Sequence, residues 1–177
     1  MTNIRATTKQ GLLADIERAW LALHAALGRL SEEQLSDARD AAGWSVKDHV
    51  AHLAAWERSA AYFLRGRPRH EGLGVEERAY LGGKDDDINA VIYERTQGLA
   101  PAEALAELED AHRELLAALE PLSDDDLRKT YRHYLPDEPG EGDGPLALSV
   151  VYGNSAEHYT EHLGWIQTLV GKAGVSP

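Results

Sequence analysis

The stretch Asn154-Ser155-Ala156-Glu157-His158-Tyr159-Thr160-Glu161-His162-Leu163-Gly164-Trp165-Ile166 reads as a helix and carries two imidazoles four residues apart. An α-helix turns once in about 3.6 residues, so positions four apart stack on one face. Val151, Trp165, Ile166 and Leu169 share that face. His158 and His162 therefore point toward the apolar side, where a polar group needs a partner. Two stacked, inward histidines suggest a metal ion. Two ligands are too few for a good site, so a third is expected from another helix.

Outward from this stretch, the last helix is expected to run from about Leu146 to near Val170, ended by Gly171 and Gly174. The chain opens with a helix from Thr8 to about Leu30, whose Leu12, Leu13, Ile16, Trp20, Leu23 and Leu27 follow helical spacing. Ser31-Glu32-Glu33-Gln34 is a capping box for a short turn ending before Asp40. Ser45 caps the second long helix, with Asp48 near the positive end of its dipole, and this helix should reach about Arg65. Val46, Val50, Leu53, Trp56, Ala60, Phe63 and Leu64 form its apolar stripe, and His49, His52 and Glu57 fall on or beside it.

Gly66 to Lys84 holds five glycines and one proline with little periodicity, which predicts a long crossover that lets the third helix run parallel to the second. Asp85-Asp86-Asp87 begins the third helical region, which pauses at Gly98 and resumes at Pro101 as far as Glu120, either as one kinked helix or as two nearly collinear pieces. Ser123 to Leu127 repeats the cap-acid-leucine logic of Ser31 to Leu35. Tyr131 to Pro145, with three prolines and three glycines, reads as a loop in which Tyr131, His133 and Tyr134 pack or line a pocket mouth. His24 and His112 read as structural or surface histidines. No stretch alternates as a strand would. Four long amphipathic helices predict an all-α fold, a four-helix bundle filling residues 1–177 as a single domain.

The bulk properties narrow the function. A formal net charge of −12, from 30 acids against 18 Lys+Arg, argues against nucleic acid and against an anionic membrane surface. No apolar run is long enough to cross a bilayer, and Met1 to Gln10 lacks the layout of a signal peptide, so a cytoplasmic location is expected. With no cysteine, the chain offers no thiol of its own as nucleophile or ligand.

The wheel leaves the third ligand open between His49, nearer the middle of the stripe, and His52, nearer its edge, because ridge packing can rotate a helix enough to reverse them. Trp44-Ser45-Val46-Lys47-Asp48-His49-Val50-Ala51-His52-Leu53, together with His158-Tyr159-Thr160-Glu161-His162, resembles the DinB-like (YfiT-like) superfamily over nearly the whole chain. That resemblance implies a metal-binding four-helix bundle with a long crossover between helices two and three. It also implies a first ligand eight residues after the tryptophan, which falls on His52, and two further ligands on His158 and His162. Ile88-Asn89-Ala90-Val91-Ile92-Tyr93-Glu94-Arg95 and Val151 to Tyr159 are similar to the ClbS/DfsB group, in which metal is not a defining feature. Resistance to a reactive electrophile, by hydrolysis or by binding, is what that likeness implies.

Three neutral imidazoles leave a divalent ion, nickel or zinc, with open positions for water or a thiol. Some members of the superfamily are thiol transferases that use bacillithiol, mycothiol or glutathione. The resemblance thus implies a detoxification or stress-response enzyme, a thiol transferase or hydrolase whose partner is a small-molecule electrophile. The alternative is a metal-independent protein that binds a toxin or stress metabolite. Glu57, Asn154, Glu157 and Glu161 are candidates to orient the ligand imidazoles, with solvent the competing place for Glu157 and Glu161. Tyr152, Trp56 and Trp165 either wall a substrate pocket or belong to the core. Apolar residues left exposed on helices one and three could supply a homodimer contact.

Overall fold

Leu12, Ile16, Leu23 and Leu27 recur at helical spacing and are all buried, which fixes the inward face of α1 (Lys9–Leu27). The computed structural model describes residues 6–140 and 142–173, with side chains as far as Gly171. Thr8 caps α1 by accepting from the Gly11 amide at 3.2 Å. The Ser31–Gln34 capping box then opens α2 (Glu32–Ser36) as the sequence predicts.

The helix α3 (Val46–Leu64) is the centre of the molecule. The Ser45 amide and hydroxyl both donate to Asp48 Oδ2, at 2.8 and 2.7 Å, and secure its first turn. Burial alone would raise the Asp48 carboxyl, but these hydrogen bonds, with help from Lys47, hold it below the usual range. Apolar and polar positions alike are buried along α3: Val50, Leu53 and Phe63, but also His49, His52, Glu57 and Ser59. A helix buried nearly all round has neighbours on every side, and here buried polar groups need partners from those neighbours.

The crossover is not bare loop. It folds α4 (Arg69–Leu73) and α5 (Glu77–Gly82) between residues 66 and 84. Gly72 lets α4 lie directly on α3, since a Cβ there would meet Ser59 Cα at 2.7 Å. Gly74, at φ +67°, supplies the left-handed residue that ends α4. The third region is divided into α6 (Asp85–Thr96) and α7 (Pro101–Leu119), with Pro101 in the first turn of the second piece. Short turns α8 (Asp124–Leu127) and α9 (Tyr131–Tyr134) follow, so part of the expected 131–145 loop is helical.

The expected last helix is broken. It forms α10 (Ala147–Gly153) and α11 (Ala156–Ala173), with Asn154 outside helical geometry at φ −98°, ψ 8°. Asn154 Nδ2 donates to Val150 O at 2.7 Å and Ser155 Oγ to Val151 O at 2.6 Å. Short polar side chains that bond back to nearby carbonyls compete with the helix and bend it.

The long helices α1, α3, α7 and α11 make the bundle. The pairs α3–α7, α1–α11 and α3–α11 pack directly, and Trp20 of α1 stacks on His112 of α7, with ring centroids 3.9 Å apart. A smaller apolar cluster of Ala55, Leu73, Val75, Ile88 and Ile92 joins α3 to the crossover and α6. The fold is all-α, the four-helix bundle with a long crossover expected from the sequence. Among the described residues no strand forms, and no helix is long and apolar enough to cross a membrane.

Candidate metal centre

Each imidazole reaches the site because its helix face does. His49 and His52 project from α3, His158 and His162 from α11, where those two helices pack. His52 Nε2 lies 3.0 Å from His158 Nε2, across 106 residues of sequence. One nitrogen from each of His52, His158 and His162 falls within 4.8 Å of the others. The His52 and His162 rings stack at 4.9 Å, and His158 meets His162 edge-on at 4.6 Å. His52 and His162 are buried, and His158 is half-buried.

The electrostatics favour neutral rings. Burial pushes His158 down to about 4. Burial, then the neighbouring imidazoles, push His162 and His52 further below the usual histidine range. Neutral imidazole is the form that ligates a metal. Two Nε2 atoms 3.0 Å apart also cannot both carry protons comfortably, so at least one lone pair faces the cluster. Three nitrogen ligand atoms converging from two helices fit a divalent metal ion.

His49 belongs to the cluster in another way. It is absent from the converging set, yet its Nδ1 sits 3.1 Å from His162 Nδ1 and its Nε2 faces Asp40 Oδ2 at 3.2 Å. The Asp40 contact is of ion-pair length and is not a formed hydrogen bond. Asp40 is held by the amides of Ala42 and Trp44, which donate to its Oδ1 at 2.8 and 2.9 Å. The Asp40 charge at that distance still favours the His49 tautomer with its proton on Nε2, since a carboxylate only accepts. His49 Nδ1 is then an acceptor, and it assigns the proton of His162 to Nδ1. That leaves His162 Nε2 with its lone pair free for the cluster. Burial lowers His49, while the Asp40 and Asp48 carboxylates pull the other way.

The imidazoles open on a cavity of about 650 Å³, walled also by Arg39, Asp40, Trp44, Asn89 and Trp165. Trp44 is braced by Tyr93, stacked at 5.6 Å, and Trp165 lies 4.6 Å from the His162 ring while 54% exposed. Of the aromatics named from sequence, Trp165 and Trp56 therefore line cavities, whereas Tyr152 packs against the core. Tyr131 and Tyr134 both pack on Phe63 with centroids 4.9 Å away, and His133 is exposed.

Of the residues named as candidates to orient the imidazoles, Glu57 and Asn154 sit elsewhere. Glu57 does not touch the ligand rings: its Oε1 meets His112 Nδ1 at 3.0 Å, in a separate buried group with Tyr159. Asn154 binds Arg69 and the Val150 carbonyl instead of an imidazole. Glu161 is exposed, and Glu157 is half-buried with its carboxyl raised by burial and by Glu161. His24 is an exposed partner of Glu109. Asp40 and Arg69 were not legible as site residues. Asp40 sits in a turn four residues before Trp44 and Arg69 in the glycine-rich crossover, and neither has a periodic pattern to mark its direction.

A family model described as the DinB superfamily matches residues 15–166. The chain belongs to the DinB superfamily. A Bacillus licheniformis protein that bears the name "Putative metal-dependent hydrolase" is 26% identical over 162 residues, covering 86% of this chain and 85% of that one. Two solved structures share the superfamily fold. One, titled Sibling Lethal Factor Precursor - DfsB, superposes with a TM-score of 0.73 at 20% identity, over 98% of this chain and 100% of that one. The other is the colibactin self-resistance protein ClbS in complex with a dsDNA, with a TM-score of 0.66 at 19% identity, over 94% and 97%. At such identities these two likenesses concern the DinB fold alone.

Proposed function

We propose that the protein is a metal-dependent enzyme acting on electrophilic small molecules, by hydrolysis or by transfer of a low-molecular-weight thiol. The observation that carries the reading is the convergence of His52, His158 and His162 nitrogens within 4.8 Å. The DinB relative named for metal-dependent hydrolysis supports the same chemistry. A divalent ion held there would polarise a substrate and lower the pKa of a water or thiol. The chain's own residues do the rest. Asp40 and His49 fix the His162 tautomer, Trp44 and Trp165 flank the approach, and Asn89 offers an amide at the wall. With no cysteine in the chain, any sulfur enters with a cosubstrate.

A small molecule suits the 650 Å³ cavity. The net charge of −12 disfavours a polyphosphate partner.

Metal analysis of purified protein tests the reading, with His52→Ala, His158→Ala and His162→Ala measured alongside. About one zinc or nickel ion per chain, lost in each variant, is expected. Metal content of zero in the wild type, or unchanged in all three variants, would sink it. Multiple-turnover consumption of an epoxide or aryl halide, with and without added thiol, then separates an enzyme from a protein that only sequesters its ligand. Stoichiometric binding that halts after a single equivalent would instead favour the ClbS-like binding reading.

A further inference from the structure

His52 and His158 also line a second cavity of about 360 Å³, shared with Trp56, Arg69, Asn89 and Asn154. Arg69 also lines a third cavity of about 520 Å³ beside Tyr131 and Arg132. Its guanidinium is half-buried and firmly held. Nε and Nη2 donate to the buried Ser59 Oγ at 3.1 and 2.9 Å, Nη2 donates to Asn154 Oδ1 at 3.0 Å, and the group lies 5.5 Å over the Trp56 ring. Every one of these acceptors is neutral. Among the described residues no carboxylate comes within ion-pair distance of Arg69, and its Nη1 has no protein partner. Arg58, Arg65, Arg67 and Arg128 all pair with acids. Arg132, in the wall of the larger cavity, also lacks an acid among the described residues but is taken up by the Pro136, Glu138, Gly140 and Gly142 carbonyls, so Arg69 is the oriented, unpaired guanidinium that shares a cavity with His52 and His158.

We propose that Arg69 anchors a carboxylate on the small molecule whose reacting end meets the His52–His158–His162 cluster. This inference rests on the function proposed above. A planar fork fixed through Nε and Nη2, with Nη1 left over, is pre-organised to take an oxyanion, and Arg is favoured where carboxylates are recognised by geometry. The break between α10 and α11 has a use here, because Asn154 at that break turns its amide oxygen to Arg69. Charge balance selects a monoanion over a phosphate dianion. Asp85 shares the smaller cavity, and Glu138 and Asp143 share the larger one, where the Tyr80 and Tyr131 hydroxyls bond Glu138 at 3.1 and 2.7 Å. In the smaller cavity Arg69 is the one cation beside Asp85, and in the larger one Arg69 and Arg132 face Glu138 and Asp143, so neither holds the excess positive charge a dianion needs. The carboxylate belongs either to the electrophile or to the thiol, and the anchor serves both.

Calorimetry of ω-mercaptocarboxylates of graded chain length against the matching ω-mercaptoalcohols tests this, on metal-free and on zinc-loaded protein. At its best length the acid should bind the wild type about tenfold more tightly than the alcohol. In Arg69→Gln, which keeps a donor near Ser59, and in Arg69→Ala, that preference should shrink to within about twofold while alcohol binding is unchanged. Inorganic phosphate should compete poorly. Equal affinity for acid and alcohol in the wild type, no binding of either, a preference that survives both variants, or phosphate outcompeting the acids would each overturn the assignment. Failure to take up zinc would sink the metal reading alone, because the acid-to-alcohol ratio is still read on metal-free protein. To place the carboxylate, an epoxide bearing one and an epoxide lacking it are compared as ligands in the absence of thiol. Selective binding of the acid assigns the anchor to the electrophile, and selectivity confined to the thiols assigns it to the cosubstrate.

Discussion

Two groups of buried histidine bridge α3 to its neighbours, and they differ in what their rings meet. In the first, His52, His158 and His162 face one another, with no carboxylate among the described residues paired to the three converging rings, and they open on a cavity. In the second, His112 of α7 meets the fully buried Glu57 of α3 at 3.0 Å and the Tyr159 hydroxyl at 3.2 Å, and the Trp20 ring covers its face. The second group is tied through Glu57 Oε1, His112 and Tyr159, with Glu57 Oε2 alone left buried and without a hydrogen bond. The first leaves lone pairs converging with only each other as company. Residue type alone does not make a ligand. A histidine with a carboxylate and an aromatic lid is a structural tie, and a histidine surrounded by other neutral histidines is a donor waiting for a cation.

The sharpest way to break this contrast is to treat His112 as though it were a ligand. His112→Ala leaves Glu57 unpaired in the core and removes the Trp20 stack, so a loss of about 3–5 kcal/mol in denaturant-derived stability is expected, with metal content unchanged. A fall in metal content without loss of stability would exchange the roles of the two groups. Glu57→Gln sharpens the same point through pH. Burial raises the Glu57 carboxyl above its ordinary value, against the pull of His112. A raised folded-state value gives stability that is complete below about pH 4.5 and lost as pH rises through the folded value. The stability of Glu57→Gln relative to wild type should therefore improve from pH 4 to pH 7, as followed by urea titration.

The ligand group has the opposite sign. His158 is pushed down to about 4 by burial, so the unfolded chain binds the proton first. Its contribution is complete above about pH 6.5 and is lost as pH falls toward 4, about 3 kcal/mol in metal-free protein. Zinc should oppose that loss, since it binds only the folded, deprotonated site. Thermal unfolding between pH 7 and pH 4, with and without zinc, checks it. An acid-insensitive metal-free protein would show that the rings are better solvated than their burial implies. Next in size, alanine at His52, His158 or His162 should weaken zinc affinity on the order of a hundredfold, with little change in the metal-free fold.

How far the two groups were legible follows from what each depends on. The bundle was readable because α1, α3 and α7 carry apolar stripes and capping residues, which are local signals. The His158–His162 pair was readable because a spacing of four needs no tertiary knowledge. The choice between His49 and His52 was not, since a few tens of degrees of rotation of α3 decides it, and packing sets that rotation. The family resemblance supplied the assignment that the wheel could not. Glu57 stood only as a candidate to orient the imidazoles for a related reason: its partner His112 comes from α7, 55 residues away, and no spacing within α3 points there. The kink at Asn154 was missed because the apolar pattern runs through it, while side-chain bonds back to Val150 and Val151 decide the geometry.

The smallest effect tests the least visible link, the chain from Asp40 through His49 to His162. Asp40→Asn keeps the size of the side chain and an acceptor for the Ala42 and Trp44 amides, but it removes the charge that assigns the His49 proton to Nε2. His49 is then free to carry its proton on Nδ1, where it would donate to His162 Nδ1. His162 in turn would carry its proton on Nε2, with no lone pair left for the cluster. Since neutral imidazole tautomers interconvert freely, the cost is a shift in population, and zinc affinity should fall by about tenfold. Nitrogen-edge NMR of labelled histidines should report the tautomer change in metal-free protein, independently of any activity. Unchanged affinity together with an unchanged His162 tautomer would reduce Asp40 to a turn-forming residue and leave three unassisted rings. His49→Gln supplies the complementary case: its amide offers a donor and an acceptor but cannot relay the assignment, so it should weaken zinc by a similar factor, and combining it with Asp40→Asn should add little.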